Sequence, residues 1–345
     1  MRVGIVGFRG AGKSTVFNAL TGLGAGRRKK SSKPQLGVIK VADPRVEKLG
    51  GILKLEKTTH AEITLVDFAP GMGERALNPK TFQQLREVDA LAHVVKCFSG
   101  PLDQAPQSPS TAIQDFESEL KLTDLVVIEN RLIELKKEEG LEREMDLLGR
   151  CKAQLEGEKP LRRLSLSEEE IRELAGFGFL SQKPLLLILN LREEDTAKPL
   201  PKAMTRQLKK EGLLAVPLSG KVEMELVGLE EKEHLKCLKD LGLNEPAKER
   251  FVHSYYTLME LISFLTHNEE EVRAWSIKRG TPALQAVAEV HADKEPDFIG
   301  IEVIQYNDLV KDGSEAKCKE AGKFRSEEKE YIVQDGDIVR FNFNE

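Results

Sequence analysis

The sequence lacks the cysteine pattern of a disulfide-stabilised or zinc-binding protein. Its cysteines lie far apart, and no two of them form a C-x-x-C pair: Cys97, Cys151, Cys237 and Cys318. They therefore predict neither a disulfide framework nor a zinc knuckle. The six histidines also lack the spacing of metal ligands, which favours structural or surface roles over metal binding.

Long apolar runs are absent as well. No stretch approaches the roughly 20 apolar residues that a membrane-spanning helix needs, and the N-terminus begins directly with a strand pattern that leaves no room for a signal peptide. We therefore expect a cytoplasmic protein with no membrane partner.

An excess of basic residues is missing too. The chain has 52 lysines and arginines against 57 acidic residues, a formal net charge of −5. This balance argues against a globally basic nucleic-acid-binding protein, although a local basic patch stays compatible with that role. The 345 residues, of which 40% are hydrophobic, are enough for two or three domains with a sizeable core.

What the sequence does contain is a phosphate-binding motif near its start. Residues 2–6 form a short apolar run that is typical of a buried strand. The P-loop pattern G-x-x-x-x-G-K-[ST] matches residues 7–14, in which Gly7 is followed by four residues and then by Gly12, Lys13 and Ser14. Residues 15–20 follow with helical spacing of apolar side chains, so the motif lies in the strand-loop-helix setting that it requires.

Each residue type in this motif has a chemical reason. Gly7, Gly10 and Gly12 allow backbone conformations in which successive N–H groups point at a phosphate. Lys13 brings an ammonium group to the outer phosphates, Ser14 offers a hydroxyl to Mg²⁺, and the helix N-terminus attracts the anion. The predicted nucleotide-binding residues of the loop are Gly10, Ala11, Gly12, Lys13, Ser14 and Thr15. The alternative is a glycine-rich turn without a ligand.

A candidate magnesium ligand follows the second predicted strand of the sheet. Residues 61–68 form a strand pattern that contains Asp67 near its end, where a Walker-B acid of a P-loop protein binds the Mg²⁺ shell together with Ser14. The basic, glycine-rich segment 22–34 occupies the place of a switch loop. It is either a solvated loop or a segment that steers nucleotide or RNA, and Ser31 or Ser32 is a further candidate ligand.

The rest of the chain predicts more sheet, an inserted helical hairpin and a small terminal module. Strand patterns cover residues 36–41, 90–98, 183–190 and 213–218. Leucines at helical spacing in 113–180 predict two antiparallel helices, either as a packing seam alone or with an exposed binding face, and Ser167 with Glu170 predicts a capping box. Residues 223–264 read as mostly helical.

From about residue 272 the pattern fits a β-grasp-like module. It has strands at 274–278 and 298–304, a helix beginning at Pro282, and an Asp-Gly turn inside a strand pair at 331–341. Trp275 is expected in its core rather than as a platform for a nucleic-acid base. The predicted domains are 1–112 and 181–271 for the nucleotide-binding domain, 113–180 for the hairpin and 272–345 for the terminal module.

Several of these motifs together resemble one family. Its N-terminal hallmarks are similar to three parts of this chain: the P-loop stretch, residues 34–38 with 43–45, and residues 86–90 with 93–95. Its C-terminal hallmarks are similar to residues 273–275, 320–323 and 331–337. The chain thereby resembles, over essentially its whole length, the YchF family of Obg-like ATPases in the TRAFAC branch of P-loop proteins. The resemblance implies an α/β G domain with an inserted antiparallel helical hairpin and a C-terminal TGS domain, which is β-grasp and ubiquitin-like.

The resemblance also assigns the base site. Ordinary GTPases end the corresponding strand in N-K-x-D, whose Asp accepts hydrogen bonds from guanine. Here the strand ends in Asn190, Leu191, Arg192 and Glu193, so the acid is one methylene longer. The family's N-x-x-E pattern implies that ATP is preferred over GTP. Ser219, Gly220 and Lys221 resemble the S-A-K loop that backs the base.

The family's second switch is where this sequence departs. The family has D-x-A-G, but here Asp67 is followed by Phe68, Ala69 and Pro70, and proline has no N–H for the γ-phosphate. Gly71 substitutes for that glycine if the loop shifts by one residue. Met72 is the candidate for the hydrophobic residue that the family carries in place of a catalytic glutamine, so the catalytic candidates are Lys13 and Met72.

The predicted function is a switch ATPase that binds ATP, and GTP less well, with Mg²⁺ and hydrolyses it slowly. The resemblance implies association with the ribosome or RNA through the TGS domain and the hairpin. One alternative is a nucleotide-sensing binding protein that has lost hydrolysis through the altered switch. A small-molecule kinase is a weaker one, because the insert reads as a packed hairpin rather than as a lid that carries arginines.

Overall fold

The structure is a computed structural model that describes residues 1–23, 34–68, 79–99, 107–137 and 140–344. Its strands are β1 (Arg2–Val6), β2 (Gln35–Lys40), β3 (Lys57–Thr59), β4 (Glu62–Asp67), β5 (Ala90–Lys96), β6 (Leu185–Asn190), β7 (Leu214–Leu218), β8 (Leu261–His267), β9 (Glu271–Lys278), β10 (Phe298–Gln305), β11 (Arg325–Glu327) and β12 (Asp337–Phe343). Its α-helices are α1 (Lys13–Thr21), α2 (Pro44–Leu53), α3 (Pro79–Leu85), α4 (Pro109–Leu135), α5 (Glu142–Glu156), α6 (Glu168–Leu174), α7 (Lys202–Glu211), α8 (Gly220–Leu226), α9 (Glu231–Asp240), α10 (Ala247–Met259), α11 (Ala283–Val290), α12 (Tyr306–Asp312) and α13 (Glu315–Glu320). The described part of the chain contains no helix with the length and apolarity to cross a bilayer.

The strands form two sheets. The first has the order β2-β4-β1-β5-β6-β7, and the pairs from β4 through β7 are parallel. Its register sets Ile5 opposite Asp67 and Lys96 opposite Asn190. Because these strands run in the same direction, the P-loop, Asp67 and Asn190 all lie at the carboxyl edge of the sheet, where open α/β sheets bind ligands.

The sequence forms this sheet because its central strands, β1, β5 and β6, are buried on both faces. All six residues of β6 are buried, as in parallel strands that are covered on both sides. The first helix packs on the sheet through Val16, Phe17 and Leu20, and it ends at Gly22, whose φ of 69° is the left-handed conformation of a helix C-terminus. The predicted α/β fold with a P-loop is confirmed.

The inserted hairpin is antiparallel, as predicted. Arg131 on α4 pairs with Glu144 near the start of α5, at 2.7 Å. Glu129, which precedes Arg131 on α4, pairs with Lys152 further along α5, at 2.9 Å, so the two helices run in opposite directions. The predicted apolar positions lie in one cluster between the helices: Leu125, Ile128, Leu132, Leu135, Leu141, Met145, Leu148 and Leu155. The capping box of Ser167 and Glu170 is also present at the start of α6.

A buried carboxylate joins this insert to the strand that follows it. Asp124, on α4, is only 1% exposed. Its two oxygens accept hydrogen bonds from the backbone N–H groups of Leu180, at 2.9 Å, and Ser181, at 2.7 Å. Burial raises the pKa of Asp124, and the hydrogen bonds from Leu180 and Ser181 offset only part of this increase. The contact fixes the end of the insert just before β6.

The second sheet has the order β11-β10-β12-β8-β9-β3 and belongs to a unit made of residues 39–63 and 255–345. Residues 1–38 and 64–254 make the other compact unit. In the smaller unit β3 pairs in parallel with β9, and the Lys57 ammonium lies 2.7 Å from the Glu271 carboxylate. Arg45, on α2, contacts Asp335 at 2.8 Å. A segment from the first sixty-odd residues is therefore part of the C-terminal β-sheet unit.

Trp275, which was predicted in the core of this unit, lies at the margin of that core. It is partly buried against the apolar cluster, and its indole N–H donates to the hydroxyl of Thr266 at 2.9 Å. The guanidinium of Arg273 stacks over its ring at 4.2 Å, a cation–π contact.

Two secondary-structure predictions are wrong. Residues 261–264, predicted as helical, begin strand β8, which pairs with β9 along its whole length. The predicted strand pair at 331–341 is only half present, because β12 begins after Gly336 and pairs with β10 and β8 instead. Before the turn, Ile332 makes only an isolated bridge to Pro282. In the turn itself, the Asp335 carboxylate accepts a hydrogen bond from the backbone N–H of Ser263.

Candidate nucleotide-binding site

The P-loop has the glycine-dependent backbone that the motif predicts. Gly7, Gly10 and Gly12 have φ angles of 140°, 80° and 90°. A Cβ atom on Gly7 would lie 2.5 Å from the carbonyl oxygen of Val94, and one on Gly12 would lie 2.3 Å from the Nδ2 atom of Asn190. Both positions therefore require glycine for space as well as for conformation.

Lys13 lies inside the loop rather than in solvent. It is 8% exposed, and its Nζ donates to the carbonyl oxygens of Gly7, at 2.6 Å, and Phe8, at 2.9 Å. The loop's own carbonyls thus hold the ammonium at the N-terminus of α1. A phosphate bound in the loop would compete with these carbonyls for the same charge.

Asn190 connects the P-loop to the loop after β7. Its Nδ2 donates to the carbonyl of Ala11 at 2.9 Å, and its Oδ1 accepts from the backbone N–H of Gly220 at 3.0 Å. Because the side chain is 5% exposed and uses both ends of its amide, it fixes the spacing of the two loops. In the sequence analysis, only the resemblance to the family placed Asn190 and Gly220 in the same site.

Ser14 and Asp67, the two residues predicted as magnesium ligands, lie within hydrogen-bonding distance of each other. The Ser14 hydroxyl donates to Oδ2 of Asp67 at 3.0 Å, and Asp67 is 5% exposed. A hydroxyl and a carboxylate are the hard oxygen donors that Mg²⁺ prefers, and in P-loop proteins few other protein ligands are needed because phosphate and water oxygens supply the rest. Within the described residues no cluster of three or more His, Cys, Asp and Glu side chains has the arrangement of a metal site.

A cavity of about 350 Å³ opens beside the P-loop. Predicted residues from all three loops line it: Gly12, Thr15, Asn190, Leu191, Glu193, Ser219 and Lys221. The Glu193 carboxylate lies 3.8 Å from the Lys221 ammonium, and both side chains are largely exposed. This volume falls at the low end of the range of small-ligand pockets.

The same cavity is lined by residues that the sequence analysis missed, namely Phe98, Arg192 and Glu194. Phe98 follows the end of β5 at the carboxyl edge of the sheet, and Lys96 approaches its ring at 5.1 Å. Its position as an aromatic residue at the end of the predicted strand 90–98, at the carboxyl edge of a P-loop sheet, is the signal that could have identified it.

Several predicted residues lie outside the described part of the chain. They are Met72, proposed as catalytic, with Pro70 and Gly71 of the same segment, and Ser31 and Ser32 of the basic segment.

A buried histidine lies beneath the P-loop. His93, on β5 opposite Val6, is fully buried, and its ring packs at a tilt of 32° against that of Phe116, with the centroids 4.2 Å apart. Neither ring nitrogen has a hydrogen-bond partner among the described residues. Burial, with a smaller contribution from the charge of Lys13, lowers the pKa of His93 to about 3.

This pKa predicts an acid-sensitive nucleotide-binding unit. In the unfolded chain the histidine titrates near its ordinary value of 6.5, so its contribution to stability is complete above that pH and is lost as the pH falls towards 3. Between about pH 7.5 and about pH 5 we expect the histidine to lower the free energy of unfolding by about 2 kcal/mol. Denaturant unfolding at both pH values, on the wild type and on His93→Phe, measures this. An equal pH dependence in the variant would contradict it.

These features define a P-loop nucleotide-binding protein of the GTPase type. They are the six-stranded sheet with a glycine loop at its carboxyl edge, the buried Lys13, the Ser14–Asp67 pair, and Asn190, which connects two loops. In agreement, the family model described as "50S ribosome-binding GTPase" matches residues 2–131. A second model, named YchF-GTPase_C and described as a protein of unknown function, matches residues 261–344.

Full-length relatives identify the family. The chain is 35% identical to the ribosome-binding ATPase YchF of Pasteurella multocida, with 99% of each chain covered, and 33% identical to that of Bacillus subtilis, with 100% of this chain and 99% of the relative covered. The solved structure of the Schizosaccharomyces pombe YchF GTPase superposes with a TM-score of 0.86 at 26% identity, covering 99% of this chain and 97% of that one. The chain belongs to the YchF family, as its motifs predicted.

Proposed function

We propose that this protein is a cytoplasmic, ribosome-associated nucleotide switch that binds ATP in preference to GTP together with Mg²⁺ and hydrolyses it slowly. The observation that carries the proposal is the joining of the P-loop to the cavity through Asn190, with Lys13 held in the loop. The curated relatives from P. multocida and B. subtilis are named ribosome-binding ATPases and match over the full length.

In the proposed binding mode the backbone N–H groups from Gly10 to Lys13 donate to the phosphates, and the Lys13 ammonium neutralises the outer ones. Ser14 and Asp67 would hold Mg²⁺, which when bound neutralises charge on the phosphate oxygens. The chain contributes position and charge rather than a covalent nucleophile.

The base is proposed to occupy the 350 Å³ cavity. Phe98 and Leu191 supply apolar surface for the faces of the ring, and Glu193 lies where a GTPase has the shorter aspartate that accepts from guanine. Because the glutamate side chain is one methylene longer, its carboxylate does not occupy the position from which the aspartate of a GTPase accepts hydrogen bonds from guanine. The interaction that makes a GTPase prefer guanine is therefore not expected here.

Shortening this acid should change the nucleotide preference. We expect the wild type to bind ATP more tightly than GTP, and Glu193→Asp to shift the ratio of the two dissociation constants towards GTP by about tenfold. Competition titration of both nucleotides against a fluorescent analogue measures the ratio, and Glu233→Asp, at an exposed position on α9 outside the cavity, is the matched control. A wild type that binds GTP about tenfold more tightly than ATP would overturn the ATP assignment.

The ribosome or RNA is proposed to bind through the TGS domain, assigned to residues 272–345, and the hairpin at 113–180. The partner is supported by the names of the relatives and not by net charge, which is −5.

Single-turnover hydrolysis of ATP, with and without ribosomes, tests the enzymatic part. We expect a slow rate that ribosomes raise, and loss of both rates in Lys13→Ala. Because Pro70 has no N–H to donate, the second candidate is a binding protein that senses nucleotide without hydrolysing it. Hydrolysis at the buffer background in both conditions, with ATP binding intact, would favour that candidate.

A further inference from the structure

A second cavity, of about 460 Å³, lies in the same compact unit as the nucleotide site, and the two cavities share no lining residue. Both α1 and α8 begin at the nucleotide site, with Lys13 and Gly220. The second cavity is lined by the residues at the far ends of these helices, Ala19 to Gly22 and Leu226 to Leu229. Residues of α9 and of the start of α10 form its other walls. Its volume lies within the range of pockets that hold small molecules.

A buried carboxylate with weak partners lines this cavity. Glu223, on α8, is only 7% exposed. Its oxygens accept from the backbone N–H of Ala247 at 3.3 Å and from the guanidinium of Arg250 at 3.5 Å. Charge-assisted hydrogen bonds are normally about 2.7–2.9 Å long, so both contacts are weak. Burial raises the pKa of Glu223, and a positive charge in the cavity would act in the opposite direction.

His234 presents an unsatisfied nitrogen at the same cavity. It lies on α9, and its Nε2 atom is buried without a hydrogen-bond partner among the described residues. A buried polar atom of this kind is costly unless a ligand or a water molecule satisfies it. A ligand that donates hydrogen bonds would satisfy both this nitrogen and the Glu223 carboxylate.

The charges around the cavity favour a cation. Its lining includes three acidic residues, Glu223, Glu245 and Glu249, against one lysine, Lys248. The ends of α1 and α8 add the partial negative charge of helix C-termini. The start of α10 has the opposite polarity, but its first N–H group, that of Ala247, donates to Glu223.

The three acids lie at two depths. Glu223 is buried, whereas Glu249 is exposed and the Glu245 side chain is 37% exposed, with its carboxylate 3.5 Å from the ring of His253. Four leucines supply the apolar part of the lining: Leu20, Leu226, Leu229 and Leu235. A metal ion needs ligands that converge, and the described residues form no such group. The arrangement suits a ligand that has two positive charges joined by an apolar chain.

From these observations we propose that this cavity binds an aliphatic diamine or polyamine. One ammonium group contacts Glu223 and donates to Nε2 of His234. The methylene chain lies along the leucines, and a second ammonium group reaches Glu245 and Glu249 at the mouth of the cavity.

Isothermal titration calorimetry of the nucleotide-free, full-length protein with 1,5-diaminopentane tests the proposal. We expect saturable binding with a dissociation constant below about 1 mM. The diol 1,5-pentanediol has a chain of the same length without the charges, and it should bind at least about tenfold more weakly. Absence of saturable binding of the diamine, or equal binding of the diol, would overturn the proposal.

Removing the two acids at the mouth tests the location of the site. The double variant Glu245→Gln with Glu249→Gln should weaken diamine binding by at least about tenfold. The matched control is Glu269→Gln with Glu270→Gln, which makes the same change of charge at exposed positions in the other compact unit. It should leave the affinity within about twofold of the wild type, because distant exposed charges are screened by salt.

Glu223→Gln should also weaken diamine binding by at least about tenfold, and circular dichroism shows whether each variant has folded. If the two double variants weaken binding equally, the diamine responds to net charge and the proposal is wrong. Unchanged affinity in the variant of Glu245 and Glu249 would contradict it as well.

Discussion

Replacing Gly12 with alanine is expected to lower the affinity for ATP by at least about 100-fold, or roughly 2.7 kcal/mol. The residue has a φ of 90°, which costs alanine about 1–2 kcal/mol. The added methyl would also lie 2.3 Å from the Asn190 amide nitrogen. Either the loop or Asn190 must move, and either movement disturbs the hydrogen bond from the Asn190 amide to the carbonyl of Ala11. Isothermal titration calorimetry of ATP with Mg²⁺ measures the loss.

Gly22→Ala separates the effect of space from the effect of conformation. Gly22 ends the same helix with a φ of 69°, and a methyl there meets nothing within 4 Å. This variant should lose about 1 kcal/mol of stability and keep its ATP affinity within about threefold. Equal affinities of Gly12→Ala and the wild type would show that the P-loop does not bind the nucleotide in the conformation described.

Asp124→Ala is expected to lower the free energy of unfolding of the nucleotide-binding unit by about 3–5 kcal/mol. The substitution leaves the N–H groups of Leu180 and Ser181 buried without their acceptors, at about 1–3 kcal/mol for each group. It also leaves a cavity where the carboxylate was. Chemical denaturation followed by circular dichroism measures the change.

The comparison variant is Asp115→Ala, on the same helix but exposed, which should change the unfolding free energy by less than about 1 kcal/mol. If the two variants were equally stable, the contact between α4 and the end of the insert would not contribute to stability. Because neither Asp124 nor its partners Leu180 and Ser181 line the cavity beside the P-loop, ATP affinity at low temperature should change much less than stability.

The sequence predicted best the elements whose signal is local. Residues 3–6 and 185–189 are continuous apolar runs, and such runs are typical of strands buried on both faces. The P-loop is similarly self-contained, because its glycine spacing alone determines the backbone. The leucine spacing of α4 and α5 predicted the hairpin for the same reason.

The elements that the sequence missed depend on distant partners. Residues 57–59 carry no strand signal of their own and become β3 only by pairing with β9. Residues 261–264 were assigned to a helix because apolar residues continue from α10 without a proline or glycine, and only the pairing with β9 shows the strand. Phe98 was missed in the candidate site because an aromatic side chain at the end of a predicted strand is equally typical of a core.

The pairing of β3 with β9 has a consequence for the newborn chain. Lys57 finds its neighbour Glu271 only after more than two hundred further residues have been made. At about 5–20 residues per second this takes roughly 10–40 seconds, during which the early segment has no completed sheet to join. We therefore expect protease sensitivity around residues 39–63 in arrested nascent chains that stop before residue 271, and protection once the last strand has left the exit tunnel.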